Sequence, residues 1–283
     1  MTGRKSESIP RYRMVLTDDG SLTLYSSEFD EAMHSSSGAY DEAVRKHIIP
    51  SGILGHQKEE VRVLDVGFGL GYNCLALLQE MARLEWPMFT KIISLERDSS
   101  ALPHLKEIRF HDSRDALYRT VLHALEFGAY VDERYSLTIT KGDARESIQA
   151  LPRAHFDAIF QDAFSPAKNP ELWSVDYFRE MARIITPSGI LTTYSCARHV
   201  RKAMLEAGFS VGKGPAVGAK REGTIASLSE VIAMLTEQET TQLLASPGII
   251  FFRDPDLRDS REHILIRRED EMARVKQGHQ VHG

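Results

Sequence analysis

The sequence predicts an α/β fold: a seven-stranded, mostly parallel sheet flanked by helices, with an N-terminal leader hairpin and a C-terminal helical extension. Three observations point there. From Val61 onward, short apolar runs alternate with amphipathic stretches, the pattern of a parallel sheet with helices on both faces. A glycine-rich turn, Gly67-Phe68-Gly69-Leu70-Gly71, stands between the first such run and the first helical stretch. The acids Asp65, Glu96, Asp143 and Asp162 fall at or near the ends of successive runs, where an open α/β sheet binds its ligands.

Each element follows from local pattern. Residues 13–16 and 22–25 flank Asp18-Asp19-Gly20 and read as a hairpin with an Asp-Gly turn; residues 41–49 then read as a helix. Strands are expected at 61–66, 91–95, 136–140, 157–161 and 190–194, with helices at 73–83, 170–185 and 197–207. A closing hairpin is expected at 209–213 and 224–228. Residues 101–133 exceed what a crossover needs and read as an inserted helical elaboration with 127–131 packed beneath it. Beyond Ser229 the pattern gives a helix to about Leu244, a strand-like run at 249–252 and a charged surface helix to Lys276. The chain divides into a leader (1–60), an α/β domain (61–229) and an extension (230–283).

Composition narrows the classes. The chain has 283 residues, 42% of them hydrophobic, enough for one dominant core. A formal charge of -5 excludes a globally basic polyanion binder, so any nucleic-acid contact must be local. Two cysteines, Cys74 and Cys196, form no C-x-x-C pair, which speaks for a reducing compartment. No run approaches the roughly 20 apolar residues of a membrane span. A cytoplasmic protein is expected, and the scattered histidines lack metal-ligand spacing, so no metal is expected.

The glycine loop carries the first chemistry. Its G-x-G-x-G spacing after Asp65 differs from the G-x-G-x-x-G of dinucleotide folds, and Asp65 would repel a phosphate while suiting an ammonium. S-adenosylmethionine, zwitterionic and without phosphate, fits this loop better than NAD; a purely structural turn is the alternative. Glu96 can accept both hydroxyls of a ribose or be a solvated strand-end charge. Asp143 can accept from an adenine amino group, cap the helix that starts at Ala144, or do both.

The fourth strand runs into Asp162-Ala163-Phe164-Ser165-Pro166-Ala167-Lys168-Asn169-Pro170-Glu171-Leu172-Trp173. This string resembles the hallmark of the methyltransferase half of the MnmC-type tRNA wobble-uridine enzymes. Gly67-Phe68-Gly69-Leu70-Gly71-Tyr72-Asn73, Gly218-Ala219-Lys220-Arg221-Glu222 and the leader segments Ser26-Ser27-Glu28-Phe29-Asp30-Glu31 and Ser37-Gly38 are similar to family strings too, so the likeness runs from about Leu16 to Leu228. Ala163 stands where the family usually has glycine, and the FAD-dependent oxidase half of bifunctional members is absent.

The resemblance implies a Rossmann-like class I methyltransferase that converts 5-aminomethyl(-2-thio)uridine of tRNA to its methylaminomethyl form, after a separate enzyme has installed the aminomethyl group. It places Asp65, Gly67, Phe68, Gly69, Gly71, Asn73, Glu96, Asp143, Ala144, Asp162 and Phe164 around the cofactor. Asp162 is the catalytic candidate, and Phe164, Lys168, Asn169, Trp173, Lys220 and Arg221 are candidates for holding the substrate. A free alkylammonium titrates near 10 and an aspartate near 4, so direct proton transfer to Asp162 runs uphill by about 6 units, or roughly 8 kcal/mol. Asp162 is therefore expected to orient the amine lone pair; capping its own turn is the alternative. Trp173, Tyr177 and Met181 form a stripe that also suits a helix core face. Arg198, Arg201, Lys202, Lys213, Lys220 and Arg221 make the one basic stretch, either phosphate contacts or a solvated face. The rival functions are methylation of a small amine or a protein lysine, and a non-catalytic tRNA-binding module.

Overall fold

The computed structural model describes residues 10–17, 22–33, 38–216 and 222–280. The leader hairpin is present: β1 (Tyr12–Leu16) pairs antiparallel with β2 (Leu22–Ser26), Met14 opposite Leu24, and β3 (Glu31–Ala32) adds a third strand. Its Asp18-Asp19-Gly20 turn lies outside the described residues. The expected helix at 41–49 is composite: α1 (Ala39–Ala43), a π turn over Val44–Ile48, and α2 (Ile49–Ser51). Pro50 lacks the N–H that would hold the carbonyl of Lys46 in α register, so a wider turn meets no competing bond there.

The main sheet is built from β4 (Glu60–Val66), β5 (Phe89–Glu96), β6 (Ala129–Val131), β7 (Tyr135–Lys141), β8 (Phe156–Gln161), β9 (Ile185–Thr193), β10 (Ser210–Lys213) and β11 (Thr224–Ser227), in the order β10-β11-β9-β8-β4-β5-β7-β6. The five central strands are parallel, and β6, β10 and β11 run antiparallel to their neighbours. After β4 the chain builds outward through β5 and β7, then returns to place β8 on the other side of β4. That reversal opens a crevice at the carboxyl ends of β4 and β8, the place where such sheets bind ligands.

Helices α3 (Tyr72–Arg83), α4 (Leu102–Leu105) and α5 (Arg114–Phe127) cover one face through Leu75, Leu78, Tyr118 and Val121. Helices α6 (Ala144–Ala150), α7 (Val175–Ile184) and α8 (Arg198–Glu206) cover the other through Ile148, Phe178, Met181, Val200 and Met204.

Four expectations need correction. The sheet has eight strands rather than seven, because 127–131 does not pack beneath the insertion: Gly128, at φ +95°, ends α5 and turns the chain onto the free edge of β7, leaving Phe127 and Val131 exposed. The helix expected from Ser229 begins only at α9 (Glu237–Ala245), where Thr236 and Glu239 form a capping box. Residues 249–252 form no strand; Phe251 and Phe252 are buried and Phe252 makes a single bridge with Ser174. The charged tail, α10 (Arg261–Gln280), is not merely a surface helix, since Ile264 is fully buried in the same core cluster that α7 and α8 pack into. No helix among the described residues is long and apolar enough to cross a membrane.

If α10 is anchored through Ile264, Ile264→Ala should destabilise the protein by about 2–4 kcal/mol, while Ile266→Ala, at a position 54% exposed, should change stability by less than about 0.5 kcal/mol. Urea denaturation of both variants reads the difference, and equal effects would mean that the helix is not seated on the core.

Candidate active site

A cavity of about 510 Å³ opens at the carboxyl ends of the central strands, a size suited to a cofactor and part of its partner. The glycine loop forms its floor. The N–H groups of Gly67 and Phe68 both reach the carbonyl of Leu95, at 3.2 and 3.1 Å, and the N–H of Asp162 reaches the carbonyl of Val66 at 3.0 Å. Gly67 has φ +93°, and a Cβ there would lie 2.8 Å from the carbonyl oxygen of Asp162, so only glycine lets the loop pass the end of β8 this closely.

Glu96 ends β5 and faces the cavity, with one oxygen held by the N–H of Gly69 at 3.1 Å. Burial pushes its pKa up to about 7; the backbone N–H groups of Asp98 and Gly69 oppose this, and the charge of Asp98 adds to it. Asp143 lines the cavity and also caps α6, accepting from the N–H of Arg145 at 2.8 Å and from its guanidinium. Burial raises the pKa of Asp143, but the guanidinium and that N–H outweigh it and hold the carboxyl below its ordinary value. Arg145 reaches on to the fully buried Asp254 at 2.7 Å, tying the C-terminal extension to this wall.

Asp65 does not line the cavity. It lies one layer beneath, accepting from Asn73 Nδ2 at 3.1 Å and from Ser94 Oγ at 2.6 Å. Burial lifts its pKa to about 6 against those two hydrogen bonds. The expected direct contact with a cofactor ammonium is thus corrected: β4 turns this side chain into the core, where it positions Asn73. Asn73 in turn donates to Asp162 Oδ2 at 3.0 Å. Gly71 is also set back, as the left-handed N-cap of α3.

Asp162 faces the cavity from the end of β8 with about a fifth of its side chain exposed. Its loop is held from three sides: the Trp173 indole donates to the carbonyl of Phe164 at 2.7 Å, the Tyr194 hydroxyl to that of Ala163 at 2.9 Å, and the N–H of Ser165 to Glu31 at 3.0 Å. Positive φ outside glycine occurs among the described residues at Asp30, Glu85, Ala154 and Leu257, so Ala163 meets no strain in place of glycine. Phe68, Phe164, Asn169 and Ala144 line the cavity.

Trp173 does not. It is completely buried and supports the loop, so the substrate-contact expectation is corrected. Lys168 points away to Asp30, at 3.1 Å. The basic stretch shrinks too, since Arg201 and Lys202 are buried, Arg201 against Thr224 and Glu222 and Lys202 on the carbonyl of Ser246, and Lys213 pairs with Glu239. Lys220 and Arg221 lie outside the described residues.

Sequence reasoning missed much of the remaining wall. The leader contributes Phe29 and Glu31, the composite helix Glu42 and His47, β9 is followed by Tyr194, and α10 brings Arg261. Phe29 stacks on Phe164 at 4.1 Å, with the Arg261 guanidinium 4.6 Å from its ring. Burial, with Asp162, Glu31 and Glu42 nearby, raises the pKa of the Tyr194 hydroxyl, which marks this end of the cavity as acidic. Phe29 and Glu31 sat in a string already similar to the family. Nothing local distinguished His47 or Arg261.

A glycine loop after the first parallel strand, an acid closing the second and a helix-capping acid after the third define a class I methyltransferase, and a family model described as S-adenosyl-L-methionine-dependent methyltransferase matches residues 109–229. The structure is similar to that of MnmC2 from Aquifex aeolicus, 35% identical with a TM-score of 0.83, over 96% of this chain and 87% of that one. The sequence is similar to the tRNA 5-methylaminomethyl-2-thiouridine biosynthesis bifunctional protein MnmC of Ralstonia nicotianae, 34% identical over 75% of this chain and 34% of the relative. It is also similar to an uncharacterized protein of Methanocaldococcus jannaschii, 28% identical over 93% of this chain and 73% of that one. The chain spans about a third of the length of the bifunctional relatives it matches. It belongs to the MnmC-type family of S-adenosyl-L-methionine-dependent methyltransferases.

The donor set suits that cofactor: Glu96 for paired hydroxyls, Asp143 for an amino group, and loop N–H groups rather than a phosphate cradle. A carboxylate accepts hydroxyls more strongly when ionised, and Glu96 titrates at about 7, so binding should release a proton below that pH. Cofactor affinity should rise about fivefold between pH 6 and 7 and level off above. Glu96→Gln should weaken binding by about tenfold or more at pH 8 and flatten this rise. Calorimetry across pH reads both, and an unaltered pH profile in the variant would remove Glu96 from the site.

Proposed function

We propose that this protein transfers a methyl group from S-adenosylmethionine to the exocyclic amine of 5-aminomethyl(-2-thio)uridine at the wobble position of tRNA. The observation that carries the reading is Asp162, held on the cavity wall by Asn73 inside an acidic end formed with Glu31 and Glu42. Carboxylates there favour a cationic amine entering from solution. The bifunctional relatives are named for the biosynthesis of 5-methylaminomethyl-2-thiouridine in tRNA, the product such a transfer would give.

When bound, the cofactor supplies a methyl group made electrophilic by its sulfonium. The chain's own residues do the rest. Asp162 accepts an N–H of the amine and fixes the direction of its lone pair, and such positioning supplies several kcal/mol of a barrier. Trp173, Tyr194 and Glu31 hold the loop that carries Phe164, and the Phe29–Phe164 stack offers a ring face to a pyrimidine drawn out of its stack. The site acts on an amine already in place, so a separate activity must install the aminomethyl group.

The test uses purified protein, cofactor and tRNA bearing 5-aminomethyluridine. Methyl transfer is expected to that RNA, to stop after RNase treatment, and not to occur on RNA carrying only the carboxymethylaminomethyl precursor. Asp162→Ala should lower turnover at least about a hundredfold with cofactor affinity within about threefold of wild type. Methylation of free amines or protein lysines with RNA ignored would overturn the tRNA reading.

A further inference from the structure

His47 lies on the cavity wall almost without exposure, on the π turn of the composite helix, a kind of irregularity that recurs at functional sites. Its Nε2 stands 3.6 Å from Asp162 Oδ1, and its Nδ1 lies 2.9 Å from Thr192 Oγ1. When the Thr192 hydroxyl donates to the carbonyl of Ile159, 3.5 Å away, its oxygen is left to accept from Nδ1–H, the arrangement on which the inference rests. A neutral ring that carries its proton on Nδ1 presents a bare Nε2 to Asp162. Behind the ring, Phe160 packs at 5.5 Å, and Lys46 on the same turn reaches the carbonyl of Pro215 at 3.0 Å, which fixes the helix that aims the imidazole.

Building on the proposed substrate, we infer that His47 is a positioning residue that takes up the substrate's ammonium proton by way of Asp162. The amine enters as R–CH2–NH3+, and its nitrogen must lose one proton before it can attack. Asp162 accepts that proton and hands it to His47 Nε2, while the nitrogen keeps the electron pair of the broken N–H bond. That pair forms the new N–C bond as the S–C bond breaks, its electrons remaining on sulfur, and the product leaves as a charged secondary amine. His47 then returns its proton to water. An imidazole is ordinarily more basic than a carboxylate, so the relay takes up part of the uphill step that Asp162 alone leaves.

The titratable groups around this ring are Asp162 from the end of β8 and Asp65 from β4, with Tyr194 after β9, Glu42 from its own helix and Glu31 from the leader lining the same cavity.

Two measurements test the inference. In ligand-free wild-type protein at pH 8, long-range proton–nitrogen spectra of the His47 ring should show the neutral Nδ1–H form; an Nε2–H form would overturn the relay whatever the substrate is. His47→Asn keeps a donor for Thr192 but cannot hold the proton. Its cofactor affinity should stay within about twofold, and its kcat on aminomethyl RNA at pH 7 should fall at least tenfold. The deficit should shrink toward pH 9.5, where solution itself supplies neutral amine. A deficit of constant size across pH, or none, would overturn the relay, whereas a wild-type protein inactive on aminomethyl RNA would instead overturn the substrate reading and leave the spectra to decide on His47.

Discussion

One side-chain amide joins the two halves of this site. Asn73 gives one hydrogen to Asp65 and the other to Asp162, at 3.1 and 3.0 Å, so the first turn of α3 is fastened both to β4 and to the loop after β8. The bond to Asp65 satisfies a carboxylate that is otherwise buried at a cost, and the bond to Asp162 fixes that carboxylate on the cavity wall. Both depend on the glycine loop passing close under Asp162, which Gly67 alone permits. Cofactor floor and catalytic wall are therefore set by one local geometry, and a shift in either displaces the other.

That arrangement explains which parts were legible in the sequence. The alternation of apolar runs reports burial directly, so the five parallel strands and the helices between them could be placed, although β9 begins five residues before its expected start and α7 five residues after its own. Strand-end acids could be recognised as a set because β-strand ends are ordered along the chain. Their depth could not. Asp65 and Glu96 look alike in sequence, yet the pleat of β4 sends one into the core, while Glu96 ends its strand and meets the cavity. Trp173 and Lys168 were misread for a related reason: nearness to the catalytic loop in sequence says nothing about which side of the loop a side chain leaves from.

The other misreadings come from long-range packing. Residues 127–131 and 249–252 share an apolar character, but a free sheet edge was available to the first and only a helix start to the second. Arg201 and Lys202 read as a basic surface because charge usually means solvent. In the fold their stems pass through the packed region between α8 and its neighbours, and their heads end on carbonyls, on Thr224 or on Glu222. Arg145 is similar. Its guanidinium is divided between Asp143, two positions away, and Asp254, 109 positions away, and no local pattern announces the second partner.

What distinguishes this methyltransferase from others of its fold is therefore not in the parallel sheet. The glycine loop and its acids would serve any acceptor. The acceptor end is walled by Phe29 and Glu31 from the leader, by Glu42 and His47 from the composite helix, and by Arg261 from the start of α10, all of which lie outside the stretch matched by the family model. The likeness to the Aquifex aeolicus protein covers 96% of this chain and so includes the segments that bring these walls. The leader and the C-terminal helix meet directly at the mouth, where Arg261 lies over Phe29 and Phe29 over Phe164. Since Arg145 and Ile264 anchor the C-terminal segment to the same core that carries Asp162, the two ends of the chain that wall the cavity and the glycine loop that floors it share one rigid support.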